Sequence, residues 1–182
     1  MLIDNKEIHH KGLSWKLRCA KDEDAAQLSK LRVEIDGETE NLDRESGEGF
    51  LSKEDFENII YVDSIAERNI FLVAEVDGKI IGFARVEGNK LSRFRHKAEF
   101  GICILKEYWG YGIGTVLLEN ILMWADSAGI KKVSLTVVET NVKAIELYRK
   151  YDFVEEGLLI NDRIHKDGRY YNTVIMGRFC QN

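Results

Sequence analysis

The chain has 182 residues, a formal net charge of −5 and a pI of about 5.5. At that length one domain is expected, spanning residues 1–182 with 1–13 as a flexible N-terminal tail. The content of 45% hydrophobic and 31% charged residues excludes a disordered chain, and the acidic balance excludes the basic footprint of a nucleic-acid binder. No apolar run is long enough to span a membrane, and the polar residues 1–12 do not read as a signal peptide. Cys19, Cys103 and Cys180 stand far apart with no CxxC pair, which points to a reducing, cytoplasmic compartment. His9 and His10 are read as a solvated pair on the tail, so no metal site is expected.

In chain order, residues 15–19 read as a first strand. Asp22 is placed to cap a helix carrying Ala25, Leu28, Leu31, Val33 and Ile35. A Gly, Glu and Ser-rich loop over 37–50 follows. Ser52 with Asp55 forms a capping pair for a second helix through Phe56, Ile59, Ile60 and Ile65. Residues 70–76 and 79–87 make a hairpin around Asp77-Gly78, and 98–105 is a further strand. Gly110, Gly112 and Gly114 then precede an apolar-periodic helix that ends at Gly129. A β-branched strand over 132–138, a short helix over 141–151 and strands over 153–160 and 170–176 complete the order. The expected fold is a mixed, mostly antiparallel sheet flanked by helices, with one locally parallel strand pair at the strand–helix–strand unit.

The chemistry concentrates where the strand ending Ile102-Cys103-Ile104 runs into Trp109-Gly110-Tyr111-Gly112-Ile113-Gly114-Thr115. A helix start presents unpaired N–H groups and the positive end of its dipole, and glycines let an anion approach that backbone. The implied ligand is a phosphate or pyrophosphate. Gly114 is followed by Thr115-Val116 and not by Lys-Ser/Thr, which excludes a P-loop. The G-x-G-x-G spacing, with no βαβ unit before it, argues against a dinucleotide fold.

This loop resembles the fingerprint of the GNAT acetyltransferase superfamily, Gln/Arg-x-x-Gly-x-Gly/Ala after a central strand. The run from Asn141 through Ala144 and Tyr148 to Phe153 resembles the family's second element at the right distance. Two positions depart from the pattern. Trp109 stands where Gln or Arg is usual, and Asp152 replaces a glycine at a position where Asp tolerates left-handed backbone.

The resemblance implies an N-acetyltransferase that moves the acetyl group of acetyl-CoA to a primary amine by direct attack in a ternary complex. It places Ile102, Cys103 and Ile104 beside the thioester and pantetheine. Gly110, Tyr111, Gly112, Ile113, Gly114 and Thr115 cradle the pyrophosphate through backbone amides, Trp109 stands beside them among the cofactor-binding residues without the usual side-chain contact to phosphate, and Asn141 and Ala144 line the cofactor arm. Glu99 resembles the family's base. Tyr148 resembles the acid that protonates the departing thiolate, and it also faces the cofactor. The basic run Arg93-Phe94-Arg95-His96-Lys97 reads as a solvated turn that could also meet the cofactor's 3′-phosphate.

Segment 34–57 carries ten carboxylates against Arg44 and Lys53, a net −8 in a chain of −5. In this family that loop walls the acceptor side, so the charge reads either as a wall for a cationic acceptor such as a polyamine, an aminoglycoside or a protein amine, or equally as a solubilising acidic loop. The last hairpin has some likeness to spermidine and protein N-terminal acetyltransferases. The partner is therefore a small-molecule or peptide amine. The resemblance also allows a homodimer through the last strands. The alternative from another class is a catalytically silent acetyl-CoA-binding sensor or regulatory module.

Overall fold

The computed structural model describes residues 3–180. Its elements are β1 (Lys6–His10), β2 (Leu13–Cys19), α1 (Ala25–Glu38), α2 (Lys53–Ile65), β3 (Ile70–Val76), β4 (Lys79–Gly88), β5 (Lys97–Ile104), α3 (Ile113–Ser127), β6 (Lys132–Val138), α4 (Val142–Lys150), β7 (Val154–Ile164) and β8 (Tyr170–Phe179). The strands form one sheet in the order β1-β2-β3-β4-β5-β6-β8-β7. Every neighbouring pair is antiparallel except β5–β6, the expected parallel pair.

Local chemistry explains most boundaries. Ser52 accepts the Asp55 N–H at 3.1 Å and Asp55 accepts the Ser52 N–H at 2.8 Å, the reciprocal pair expected at the start of α2. Asp77 and Gly78 both have positive φ (47° and 81°), as a two-residue hairpin turn requires. Gly129, at φ 71°, ends α3, and Asp152, at φ 63°, follows α4 in the left-handed backbone expected of it. At the start of α1, Asp24 and not Asp22 does the work. Asp22 opens a short 3-10 turn, while the Asp24 carboxylate accepts the Lys21 N–H at 2.8 Å and pairs with Arg18 at 2.6 Å.

The tail expected over 1–13 is corrected within the described residues. Lys6–His10 is a strand, paired antiparallel with β2 from Lys6↔Leu17 to His10↔Leu13. The run Lys-Glu-Ile-His-His shows no alternation because an edge strand here is exposed on nearly every residue, with only Ile8 half-buried. Lys11 (φ 49°) and Gly12 (φ 80°) make the turn.

The sheet divides the helices. Phe56 of α2, Phe71 and Phe83 stack in sequence on one face, with centroids 6.4 and 5.5 Å apart. Arg32 of α1 reaches Cys103 on that same face, because Phe83 and Cys103 are register partners. On the opposite face lie α3, whose Gly114 backs onto Ile104 and Ile102, and α4, whose Tyr148 meets Phe100 edge-on at 6.2 Å. Leu17, Leu28, Leu72, Ile81, Leu117, Leu118 and Ile121 fill the interior on both sides. No helix among the described residues is long and apolar enough to cross a membrane.

β4 and β5 approach closely at Gly82, where a Cβ would lie 2.8 Å from the Cys103 carbonyl oxygen. Gly82→Ala should therefore force the two strands apart. The expected cost is about 2 kcal/mol, a fall of about 6 °C in the thermal midpoint by calorimetry. An unchanged midpoint would show that the strand pair yields freely there.

Candidate active site

The site starts from a fork in the sheet. β5 pairs with β6 only at Lys97↔Lys132, Ala98↔Val133 and Glu99↔Ser134. Beyond that point β6 stays paired with β8 as far as Val138↔Thr173, and β5 stays paired with β4 as far as Ile104↔Gly82. The two central strands therefore separate after Glu99.

The phase of the ladder decides which groups face the gap. The Leu105 N–H donates to Ile81 O at 2.9 Å, and Lys97 O accepts the Asn89 N–H at 3.2 Å, so the odd-numbered residues of β5 turn their main chain to β4. Phe100, Ile102 and Ile104 turn theirs to the gap. Of the three segment residues expected beside the thioester, Ile102 and Ile104 offer N–H groups to it. Cys103 does not, because its main chain faces β4 and its side chain points to α1.

At the open end lies the glycine loop. Gly110 (φ 87°) and Gly112 (φ 80°) both need left-handed backbone, and Gly112 precedes the first turn of α3. The N–H groups of Ile113, Gly114 and Thr115 have no carbonyl partner within the helix. The Ile113 side chain is core, so only its main chain is available. Tyr111 is exposed at the rim. Trp109 does not face a phosphate with a charge. Its Nε1–H donates to Ile104 O at 2.8 Å and ties the loop to the end of β5.

The β1–β2 hairpin completes this loop, a contribution that sequence reading missed. Lys11 Nζ donates to Gly110 O at 2.7 Å, and Lys6 Nζ donates to Asn120 Oδ1 on α3 at 2.6 Å. The His10 ring lies against Gly112, where a Cβ would meet it at 2.8 Å. The sequence signal was present only as Lys11-Gly12, a turn dipeptide.

The basic run at 93–97 lies elsewhere. Lys97 opens β5 and the glycine loop follows its other end, about 25 Å away at the rise of a strand, so these side chains do not reach the loop.

Across the gap from β5, Asn141 precedes α4 with no hydrogen bond to its side chain among the described residues, and Ala144 lies half-buried one turn on. Tyr148 follows at i+4 from Ala144, buried between Phe100 and Phe153. Burial, and to a lesser extent the Cys103 thiol, push its phenol far above the ordinary value, so it stays protonated.

The α1–α2 side carries Glu99, Gly101 and Cys103, which alternate with the apolar face of β5. Glu99 is exposed, at the last paired position before the fork. The Cys103 thiol is pushed up to about 11 by burial, with Arg32 pulling the other way. Arg32 Nη1 lies 3.4 Å from Cys103 Sγ, and Arg32 Nε donates to Asp36 Oδ2 at 2.8 Å.

The acidic segment 34–57 is mostly engaged within the protein. Asp36 pairs with Arg32, Asp43 with Arg163 and Glu57 with Lys53. Glu38 accepts the Lys106 N–H, Glu40 the Lys166 N–H, Glu48 the Glu45 N–H and Asp55 the Ser52 N–H. Among the described residues no group of His, Cys, Asp and Glu side chains is arranged to hold a metal.

A forked sheet with one free strand edge, running into a glycine-rich helix start, is the architecture of the N-acetyltransferase class. The chain belongs to the Acetyltransferase (GNAT) family, whose model matches residues 37–153. It is 30% identical over 108 residues to L-amino acid N-acetyltransferase AaaT of Escherichia coli (strain K12), spanning 59% of this chain and 66% of that protein. It is 32% identical over 114 residues to Spermidine N(1)-acetyltransferase of Vibrio cholerae, spanning 62% and 64%. The chain thus spans just under two thirds of the length of these curated relatives. A solved GNAT-family acetyltransferase from Streptococcus pneumoniae superposes with a TM-score of 0.87 at 30% identity, over 91% of this chain and 99% of that one.

Proteins of this family use acetyl-CoA. The residues here fit it: a free main-chain edge at Ile102 and Ile104 suits the amide-bearing arm, and the helix start at Ile113, Gly114 and Thr115, behind two left-handed glycines, suits its phosphates. Gly112→Ala would pay the left-handed penalty and drive a methyl into His10. Titration calorimetry should show acetyl-CoA affinity reduced about tenfold for that variant, and reduced less for Lys11→Ala. Affinity unchanged in both would separate the hairpin and the loop from the phosphates.

Proposed function

We propose that the chain is an N-acetyltransferase that acetylates a primary amine by direct attack within a ternary complex. The observation that carries this reading is the fork: the free edge of β5 opens directly onto the glycine loop. Acetyl-CoA supplies an acetyl thioester; the amine nitrogen bonds to the acetyl carbon as the carbon–sulfur bond breaks, and CoA leaves as the thiol. The relatives named for amino-acid and spermidine acetylation support an amine acceptor.

Ile102 and Ile104 hold the donor arm through main-chain groups, and their N–H groups face the carbonyl oxygen where charge develops. Asn141 offers an unpaired amide from the opposite wall. An ammonium has no lone pair, so a base must take its proton. Glu99 stands at the fork, on the face of the sheet opposite α4, with its carboxylate exposed. Tyr148 serves the other end. A phenol held protonated in a buried site can donate to the departing sulfur. Presence of both a base and an acid supports an enzyme over a silent binding module.

A cationic acceptor, as expected from the charge of segment 34–57, draws less support from the fold, because seven of those ten carboxylates already have partners. β7 is one of the two open edges of the sheet and has Leu158, Ile160 and Ile164 exposed, which supports a homodimer formed with a second copy. Sedimentation velocity should then give twice the chain mass, and a monomer would remove that part of the reading.

The central test follows release of CoA thiol with acetyl-CoA and a panel of polyamines, aminoglycosides, amino acids and short peptides. Tyr148→Phe and Glu99→Gln should each lower kcat about 100-fold on the preferred amine, with acetyl-CoA affinity retained. Tight acetyl-CoA binding without turnover on any amine would sink the enzyme reading in favour of a binding module.

A further inference from the structure

Eight of the 15 glycines sit in left-handed backbone, and six more have a neighbour within 4 Å of the point that a Cβ would occupy. Gly101 has neither. A glycine inside a strand weakens it, and it marks a bulge, a bend or the close approach of another group. The β4–β5 ladder runs through Arg85↔Gly101 with no shift in register, so there is no bulge. Backbone outside the left-handed region removes the bend, and the empty space above Gly101 removes a neighbour from within the chain. A group from outside the chain is left.

Gly101 is exposed although β5 lies in the middle of an eight-stranded sheet. Each flank leaves it bare. Along β5, the cover supplied by α1 reaches Cys103, where Arg32 Nη1 lies 3.4 Å from Sγ. On β4 the partner of Gly101 is Arg85, whose guanidinium is held elsewhere. Its Nε and Nη2 donate to Asp63 of α2 at 2.5 and 3.0 Å, and its Nη1 donates to Glu87 at 2.8 Å. Asp63 is itself fixed by the Asn69 amide at 2.7 Å, so Arg85 does not swing back freely. On the third side β6 has parted from β5, and Thr136 is exposed on the same face, two residues past Ser134.

The bare strip lies where the reaction needs room. Gly101 follows the exposed Glu99 on the same face, about 7 Å along the strand. It directly precedes Ile102, whose N–H faces the gap. Its own main chain turns to β4, and the point where a Cβ would stand lies on the face opposite α3 and α4.

We propose that Gly101 is the specificity-determining residue of the acceptor side: the carbon that bears the amine rests on its bare Cα. The inference rests on the N-acetyltransferase reading above and adds which residue sets the bulk of the acceptor. The nitrogen has to reach the acetyl carbon held at Ile102, and its proton leaves toward Glu99. A nitrogen between those two residues carries its own carbon over Gly101, one bond further out on the exposed face. Substituents on that carbon fit because position 101 has no side chain. A side chain there would stand in the same space, and exclusion by one methyl group is worth about 10- to 200-fold in a fitted site.

The test uses pairs of amines that differ by one methyl on the amine-bearing carbon: glycine and L-alanine, glycinamide and L-alaninamide, n-propylamine and 2-aminobutane. CoA release gives kcat/KM for each, and the readout is the ratio of the methylated to the unmethylated member. Gly101→Ala should lower that ratio about tenfold, mainly through KM, and Gly101→Val about 100-fold. Acetyl-CoA affinity by titration calorimetry should stay within about twofold, and the melting midpoint should hold or rise by up to about 4 °C, as for a glycine replaced without strain. A ratio that Gly101→Val leaves unmoved would overturn the proposal, as would a wild type that rejects the methylated member of every pair. A loss of acetyl-CoA affinity as large as the loss on the amine would place Gly101 on the cofactor side and overturn it too. Should none of these amines be acetylated, calorimetry of L-alaninamide against the CoA-loaded protein decides. Binding that Gly101→Val weakens about tenfold sustains the proposal, and equal or absent binding overturns it. Failure of the acetyltransferase reading shows separately, as no CoA release with any amine of the wider panel.

Discussion

The structure depends on one constraint: each main-chain amide and carbonyl of β5 must find a partner, and past Glu99 one neighbour leaves. β4 continues to satisfy the odd-numbered residues. The even-numbered ones are left facing an opening, and Trp109 takes up only the last carbonyl, at Ile104. The opening does not collapse because both of its arms are held from outside, β5 by β4 and β6 by β8. Side chains keep it apart from within. Gly114 of α3 packs on Ile104 and Ile102, and Tyr148 of α4 packs on Phe100. A defect in pairing is thereby made rigid, and a rigid row of unpaired amide groups is a template for an amide-bearing ligand.

Alternation along β5 then separates two environments only a strand's thickness apart. The even residues face α3 and α4, an apolar wall in which a phenol stays protonated. The odd residues face α1 and α2, where the Arg32 guanidinium joins the buried Asp36 carboxylate to the Cys103 thiol. The same low polarity that lifts the Tyr148 and Cys103 protons strengthens the Arg32–Asp36 pair.

What was legible in the sequence was local. The three glycines, the Ser52–Asp55 pair, Asp77-Gly78 and Asp152 all declare themselves within a few residues, and the pair, the turn and Asp152 took the expected conformation. The alternation of Glu99, Gly101 and Cys103 was equally legible. The phase of the ladder was not: whether Cys103 turns its amide to β4 or to the gap depends on where β4 starts to pair. Nor was β1, because a strand exposed on both faces carries no hydrophobic pattern. Charge misled for a related reason. The −8 of segment 34–57 looks like a free acidic wall until Arg163 is brought to Asp43 and the Lys166 amide to Glu40 from more than 110 residues away. Net charge counts residues, and the field depends on which of them meet.

The stretch that matches the family model runs from 37 to 153, yet the working parts extend beyond both of its ends. Lys11 and His10 brace the phosphate loop from the N-terminal side. β8, the strand that keeps β6 in place, lies after the matched stretch and comes last in the chain. A fragment trimmed to the recognisable core would keep the motif and lose the framework that holds it open. Grafting or truncation of this domain therefore has to respect the sheet order in space, and not the span over which relatives can be aligned.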